Sequence, residues 1–262
     1  TKNPEEKPYF LTNQSAGSFN TFKHSFEAGT GKFLNNLLSV SARYSIINSD
    51  GYIDRAFSKL NSYNINALFE KGNTKLRFLT FGGKEKTYQA WNGIDKATYE
   101  SNPKFNYSGA IYDANWENII GFYDNETDNY RQNHYHLLWE QKLGKIWNLE
   151  TTFHLTHGEG YYENYKQDAK FSKYDLPNIV ENGNTITRTD FIRKKWLDND
   201  FYGVVSNLYG NFENLNLNFG VAANQYFGRH FGNVTGVKYT DIFEHEYYRN
   251  NALKNEVSGF AK

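Results

Sequence analysis

The sequence predicts an all-β protein: an antiparallel transmembrane β-barrel of meandering strands, of which this chain carries about ten. Three observations predict it. Apolar residues recur at every second position in run after run, the period of a strand with one oily and one polar face. The links between runs alternate in length, so one end of the sheet carries tight turns and the other long loops. Finally, 21 Phe and 21 Tyr sit in a chain of mean hydropathy −0.78, which suits a thin apolar shell around a wet interior better than a deep core.

The runs justify themselves in chain order. Thr21–Gly29 alternates Phe22, His24, Phe26 and Ala28; Leu38–Ile47 sets Val40, Ala42, Tyr44 and Ile46 against Ser39, Ser41, Arg43 and Ser45. Ser62–Phe69 alternates Tyr63, Ile65, Ala67 and Phe69, and Leu76 and Phe78 continue the pattern. The clearest hairpin follows: Tyr135, Leu137, Trp139, Gln141 and Leu143, then Gly144-Lys145, then Trp147, Leu149, Thr151, Phe153 and Leu155. Its other face carries His134, His136, Glu140, Glu150 and His154. Tyr202, Val204, Ser206 and Leu208 with Leu215, Leu217, Phe219, Val221 and Ala223 form a later hairpin, and a last strand starts near Lys254. Each run approaches the roughly 9–11 residues of a tilted membrane-spanning strand. Nothing shows helical periodicity with caps.

After the first turn, Gly17–Asn20, the links alternate strictly. Thr30–Leu37, Lys71–Thr74, Gly144–Ile146 and Asn211–Asn214 are short; Asn48–Asn61, Gly82–Asp124, Gly158–Asn199 and Tyr226–Leu253 are long. In an antiparallel meander alternate links lie at opposite ends, giving short periplasmic turns and long extracellular loops. Trp139 and Trp147 flank a short turn on the oily face, and Tyr202 sits at the long-loop end of its strand, where interfacial aromatic girdles belong.

Composition narrows the function. With 29 basic and 29 acidic residues, nothing points to nucleic acid. No Cys is present, so disulfide, thiol and cluster chemistry are excluded. No apolar run reaches a helical span. The chain has no Met, opens on Thr1 without a signal peptide, and reads as a processed or trimmed piece.

Catalytic signals are weak. His134 and His136 share the lumen face at a spacing that can chelate a metal, yet no third ligand is set, and they read as polar wall residues; no metal, cofactor or catalytic group is assigned. His154 and His157 point to opposite faces of a strand. In SDGYIDRA, Asp50-Gly51 is a turn signal, with an Asp54–Arg55 network expected to close it. Glu117, Asp124, Glu126 and Asp128 read as solvated loop charges, and Gly82–Lys84 lacks the P-loop pattern. Aromatics crowd the long loops: Tyr88, Trp91, Tyr99, Tyr107, Tyr112, Trp116, Tyr161, Tyr162, Tyr165 and Trp196. Such rings either stack on a chelate, macrocycle or sugar, or pack the loops together. From this set, Trp91, Tyr112, Trp116, Tyr161, Tyr162 and Trp196 are the solute-contact candidates, with His157 and Glu159 at the strand-to-loop transition.

The stretches GSFNT (Gly17–Thr21), GTG (Gly29–Gly31), SDGYIDRA (Ser49–Ala56), TYQAWNGI (Thr87–Ile94), YDNETDNYRQNHYHL (Tyr123–Leu137) and HGEGYYENYK (His157–Lys166) resemble the barrel of TonB-dependent outer-membrane receptors, closest to the Bacteroidetes-type iron-complex transporters. YFGRH, with Arg229 and His230, resembles a stretch at the base of a long loop in that family, which adds those two residues to the candidates. The resemblance implies a plug domain inside a barrel of about twenty-two strands. It makes residues 1–8 the end of the plug or its linker, and 9–262 a partial barrel that lacks the plug and its later strands. It further implies the Gram-negative outer membrane, TonB acting through the plug, contact with outer-membrane lipid, and a surface lipoprotein as a further partner. An iron chelate of the siderophore type is the implied solute, with cobalamin, haem or an oligosaccharide open. The function is then capture and gated passage rather than catalysis. The alternatives are a soluble secreted β-sandwich or jelly-roll that binds or cleaves glycans, and a solute-free structural barrel or adhesin.

Overall fold

A computed structural model describes residues 3–237 and 244–262. Ten strands form one continuous antiparallel sheet in strict meander order. They are β1 (Pro8–Gly17), β2 (Thr21–Phe33), β3 (Leu38–Ser49), β4 (Ser58–Lys71), β5 (Thr74–Tyr88), β8 (Thr127–Leu143), β9 (Trp147–Lys170), β12 (Arg188–Phe212), β13 (Leu215–Val237) and β14 (His245–Ala261). Two short ribbons, β6 (Ala110–Tyr112) with β7 (Ile119–Phe122) and β10 (Ile179–Glu181) with β11 (Asn184–Ile186), lie in the links. A single meander with no second large sheet against it among the described residues removes the β-sandwich alternative.

The register places the expected oily residues on shared rungs. Leu76 faces Trp139, Phe78 faces Leu137, Leu137 faces Phe153 and Phe153 faces Val204. They lie in the open: Phe78 is 43% exposed, Leu137 42% and Phe153 48%. A continuous exposed apolar face of this width has no place in water and is the outer wall of a membrane barrel. On the opposite face His136 meets His154 across the pair, and His134 stacks on Phe81 with ring centroids 4.4 Å apart.

Short turns occur where expected. Residues Leu34, Asn35 and Asn36 all take left-handed φ between 51° and 62° to turn β2 into β3. Gly144 (φ 71°) turns β8 into β9, and Gly72 (φ 57°) turns β4 into β5.

The other end differs from expectation in three ways. First, the segments expected as long loops over Gly158–Asn199 and Tyr226–Leu253 are mostly strand. β9, β12 and β13 run 24, 25 and 23 residues, roughly twice what a bilayer requires, so their upper halves stand clear of the membrane. Polar alternation above the oily stretch hid this, because the hydrophobic period stops at the lipid boundary while the hydrogen-bonded ladder does not. Second, the link between β5 and β8 holds a helix, α1 (Lys96–Ser101), whose start is capped by Asp95 accepting from the Thr98 N–H at 2.9 Å. Third, Arg55 does not close its turn through Asp54. It sits at φ 64°, donates to the Asn106 carbonyl and lies 3.5 Å from the centroid of Phe122.

A small core lies at this upper end. Phe171, Tyr174, Phe191 and Val234 are essentially inaccessible and bring Ala169, Leu176, Ile179, Ile186 and Tyr247 against them. It folds the link between β9 and β12 onto the sheet.

Candidate functional site

Parity decides which wall each residue belongs to. On β9 the odd residues Phe153 and Leu155 face lipid, so His157, Glu159 and Tyr161 continue up the outside, while Gly158, Gly160 and Tyr162 line the inside. The same rule on β12 and β13 puts Trp196 and Arg229 outside and His230 inside.

The five outer candidates form a belt of ion pairs and ring contacts in which the Trp196 Nε1 and Arg229 Nε find no hydrogen-bond partner. His157 Nδ1 lies 2.8 Å from Asp200, and the Arg229 guanidinium bonds Asp198 at 2.6 Å and Asp200 at 3.0 Å. Glu159 pairs with Arg131. Tyr161 packs on Trp196 at 4.4 Å, and Trp196 stacks on Phe231 at 5.7 Å. His157, Asp198 and Asp200 bring ligand atoms within 4.8 Å of one another, a spacing that suits a divalent cation. Arg229 already supplies the positive charge between the two aspartates.

The inner wall offers the concave chemistry. One rung runs Asp128, Tyr162, Lys195, Gly232 and Tyr248; the rung below runs Tyr130, Gly160, Leu197, His230 and Asn250. Trp91 from the β5–β8 link meets Tyr162 edge-on at 5.4 Å, and the Lys195 ammonium lies 5.9 Å from the centroid of the Tyr162 ring. Glycines make room for the rings. A Cβ on Gly158 would fall 2.3 Å from the Tyr130 hydroxyl, and one on Gly232 would fall 2.2 Å from the Tyr248 ring. The rings therefore lie flat against bare backbone and pave the upper wall. Of the sequence candidates, Trp91, Tyr162 and His230 lie at this wall; Tyr130, Lys195 and Tyr248 also lie there and were not among them, though extending the alternation of β8, β12 and β14 upward would have placed them.

Tyr112 and Trp116 stack on each other at 5.7 Å within the β6–β7 ribbon. Gln167 holds that ribbon, accepting from the Tyr112 N–H at 2.8 Å and donating to its carbonyl at 2.7 Å. Hence the ten candidates fall into three places: Trp91, Tyr162 and His230 at the inner wall, Tyr112 and Trp116 on the link, and His157, Glu159, Tyr161, Trp196 and Arg229 outside.

A buried polar network anchors the link over this wall. β8 begins at Thr127 while β9 continues, so β9 needs a new partner above Tyr162. Glu126 supplies one, accepting from Asn164 at 2.8 Å and from the Tyr165 N–H at 2.8 Å. Gln89 donates to the carbonyls of Thr127 and Glu163, both at 3.0 Å, and accepts from Asn164 at 2.9 Å. Tyr88 donates to the Ser108 and Tyr123 carbonyls. Glu126 and Tyr88 are thus buried anchors rather than a solvated charge and a loop aromatic. Burial raises the Glu126 carboxyl above the ordinary carboxylate range and lowers the Lys166 ammonium beside it. Tyr123 is raised too, first by burial and then by its hydrogen bond to Glu163.

No protein-family model and no curated protein sequence matches the chain. Solved structures do match it as folds. They include a chain from the FpvAI–pyocin S2 complex (TM-score 0.64, 10% identity, 99% of this chain and 36% of that one). The siderophore receptor PiuA from Acinetobacter baumannii follows at TM-score 0.58, 10% identity, 100% and 39% coverage. The ferric-catecholate import receptor Fiu from E. coli K12, open form, matches at TM-score 0.58, 13% identity, 100% and 42% coverage. The chain spans about two fifths of the length of these structures. It has the fold of part of the β-barrel in these structures.

Proposed function

We propose that this chain is part of a TonB-dependent receptor of the outer membrane that takes up a scarce solute, a ferric siderophore-type chelate first among the choices. The reading rests above all on one observation: a lipid-type outer face is backed by an inner wall paved with Tyr130, Tyr162 and Tyr248 around Lys195, beneath a link carrying Trp91. Flat aromatic rings and a cation suit an anionic chelate with aromatic ligand arms. The siderophore receptors among the matching folds support the same solute class, and the motif stretches support the Bacteroidetes type. The work done is binding and passage, with no bond made or broken.

Solute contact falls to Trp91, Tyr162 and His230, joined by Lys195, Tyr130 and Tyr248; Tyr112 and Trp116 would close over them. Lower down, the polar wall forms a cavity of about 510 Å³ lined by Arg43, Asn64, Glu85, Gln132 and His134 among others, a surface suited to a plug domain through which TonB would act. A surface lipoprotein is the further partner of this reading.

The test is binding of ferric catecholate and ferric hydroxamate panels to the full-length receptor, followed by tryptophan fluorescence. Tyr162→Ala with Lys195→Ala should weaken the preferred chelate by about tenfold or more. No chelate bound by the native receptor, with cobalamin or a glycan bound instead, would overturn the solute assignment.

A further inference from the structure

The outer wall above the oily band carries charges that elsewhere cancel in pairs: Arg131 with Glu159, His157 and Arg229 with Asp198 and Asp200, Lys194 with Glu163, Arg249 with Glu246. Across β3, β4 and β5 they do not. Two successive outward rungs run Ile46, Asn61, Lys84, Arg131 and Asn48, Lys59, Lys86, Asn129. Lys59 sits directly opposite Lys86, while Lys84 faces Arg131, whose charge Glu159 already offsets. Like charges facing each other across a ladder repel and destabilise it. No carboxylate among the described residues forms an ion pair with Lys59, Lys84 or Lys86. The Lys86 ammonium donates to the Asn125 amide oxygen at 2.8 Å, and Lys59 lies 5.4 Å from the Phe57 ring centroid.

These side chains border an open hollow of about 330 Å³ whose lining includes Tyr44, Asn48, Lys59, Asn61, Lys84, Lys86 and Asn129. Beneath it on the same outward face, among Tyr63, Asn133 and Thr80, stand exposed apolar side chains: Tyr44 at 45%, Ile65 at 39% and Phe78 at 43%. A ligand that fits must therefore be an anion at the top with hydrocarbon below.

The geometry points to a lipid site: the Lys59–Lys84–Lys86 hollow binds the phosphate of a phosphorylated lipid of the outer leaflet, whose acyl chains lie along Tyr44, Ile65 and Phe78. Three ammonium groups and three asparagine amides donate to the phosphate oxygens, and the ring of Tyr44 bounds the headgroup. Bound phosphate relieves the cross-strand repulsion, so lipid and sheet stabilise each other. The proposal rests on the membrane-barrel reading and is independent of the solute.

The test uses the full-length protein in detergent, with bis-phosphorylated lipid A added and retained lipid counted by native mass spectrometry. Lys59→Gln/Lys84→Gln/Lys86→Gln should retain about tenfold less lipid than the native protein. Lys96→Gln/Lys104→Gln/Lys173→Gln, with the same charge change elsewhere, should retain as much as native. Equal retention by the hollow variant overturns the site. Equal retention of dephosphorylated lipid A reduces it to apolar packing and also overturns it, as does displacement by equimolar inorganic phosphate, which would make it a soluble-anion site. A native protein that is folded and monomeric without detergent removes the membrane reading itself; lipid loss unaffected by the variant, in a protein that still needs detergent, removes only this site. Ferric-chelate binding is read separately and unchanged in the hollow variant.

Discussion

Glycine positions decide how the inner wall is paved, and two neighbours on β9 separate space from strain. At Gly158 the first atom a methyl group meets is the far end of the Tyr130 side chain, which can swing. Gly158→Ala should therefore cost under about 1 kcal/mol and still weaken solute binding by lifting that ring. At Gly160 the added Cβ meets the Asn129 carbonyl at 2.2 Å and the Tyr130 Cα at 2.7 Å. Gly160→Ala must move backbone and should cost about 1–3 kcal/mol, read as a lower unfolding temperature in detergent. Glu126 sets a pH dependence at the same scale. Its carboxyl is raised by burial from the ordinary 4.5, so within that interval the folded link binds more protons than the released link. Between 4.5 and the raised value, stability of the link falls as pH rises. Hydrogen-exchange protection over residues 89–126, relative to the intrinsic rate at each pH, should rise as pH falls from neutral toward the ordinary carboxylate range, and Glu126→Gln should flatten that dependence.

At the scale of elements, the long strands and the links prop one another. β9 outruns β8, and the Gln89–Glu126–Asn164 network takes the place of the missing ladder. The β9–β12 link is held differently, by the Phe171–Tyr174–Phe191–Val234 cluster. Phe191→Ala opens a cavity there and should cost about 3–5 kcal/mol of local stability. Protease should then cut within residues 171–187 while the membrane band stays intact. The links were the least legible part of the sequence. Periodicity reports a strand only while one face is greasy, and above the bilayer both faces are polar. α1 was legible in principle from Asp95 before Thr98, yet six residues are too few to show a helical period.

For the whole molecule the alternation of faces makes adjacent residues behave oppositely. Leu137 pairs with Phe153 on the lipid wall, and His136 pairs with His154 on the wet one. Leu137→Arg should destabilise the barrel by about 2–4 kcal/mol in lipid vesicles, whereas His136→Arg should change folding little. The opposite ranking would invert the assignment of the walls. Neutral overall charge conceals local order at this scale: on the upper outer wall cations and carboxylates pair on β8, β9, β12 and β13, while Lys59 on β4 and Lys84 and Lys86 on β5 have no carboxylate partner among the described residues.

By itself the sequence determined the strand meander, the oily wall and the tight turns, because a period of two and a left-handed turn residue are local properties. It also singled out Trp91, Tyr162 and His230. Only the tertiary structure decided that β9 carries Glu159 and Tyr161 on up the outer wall beside Trp196 and Arg229, that Glu126 is buried, and that Lys59 and Lys86 face each other. Those facts depend on which residues meet across the ladder and how far each strand extends, and both are set by partners tens of residues away.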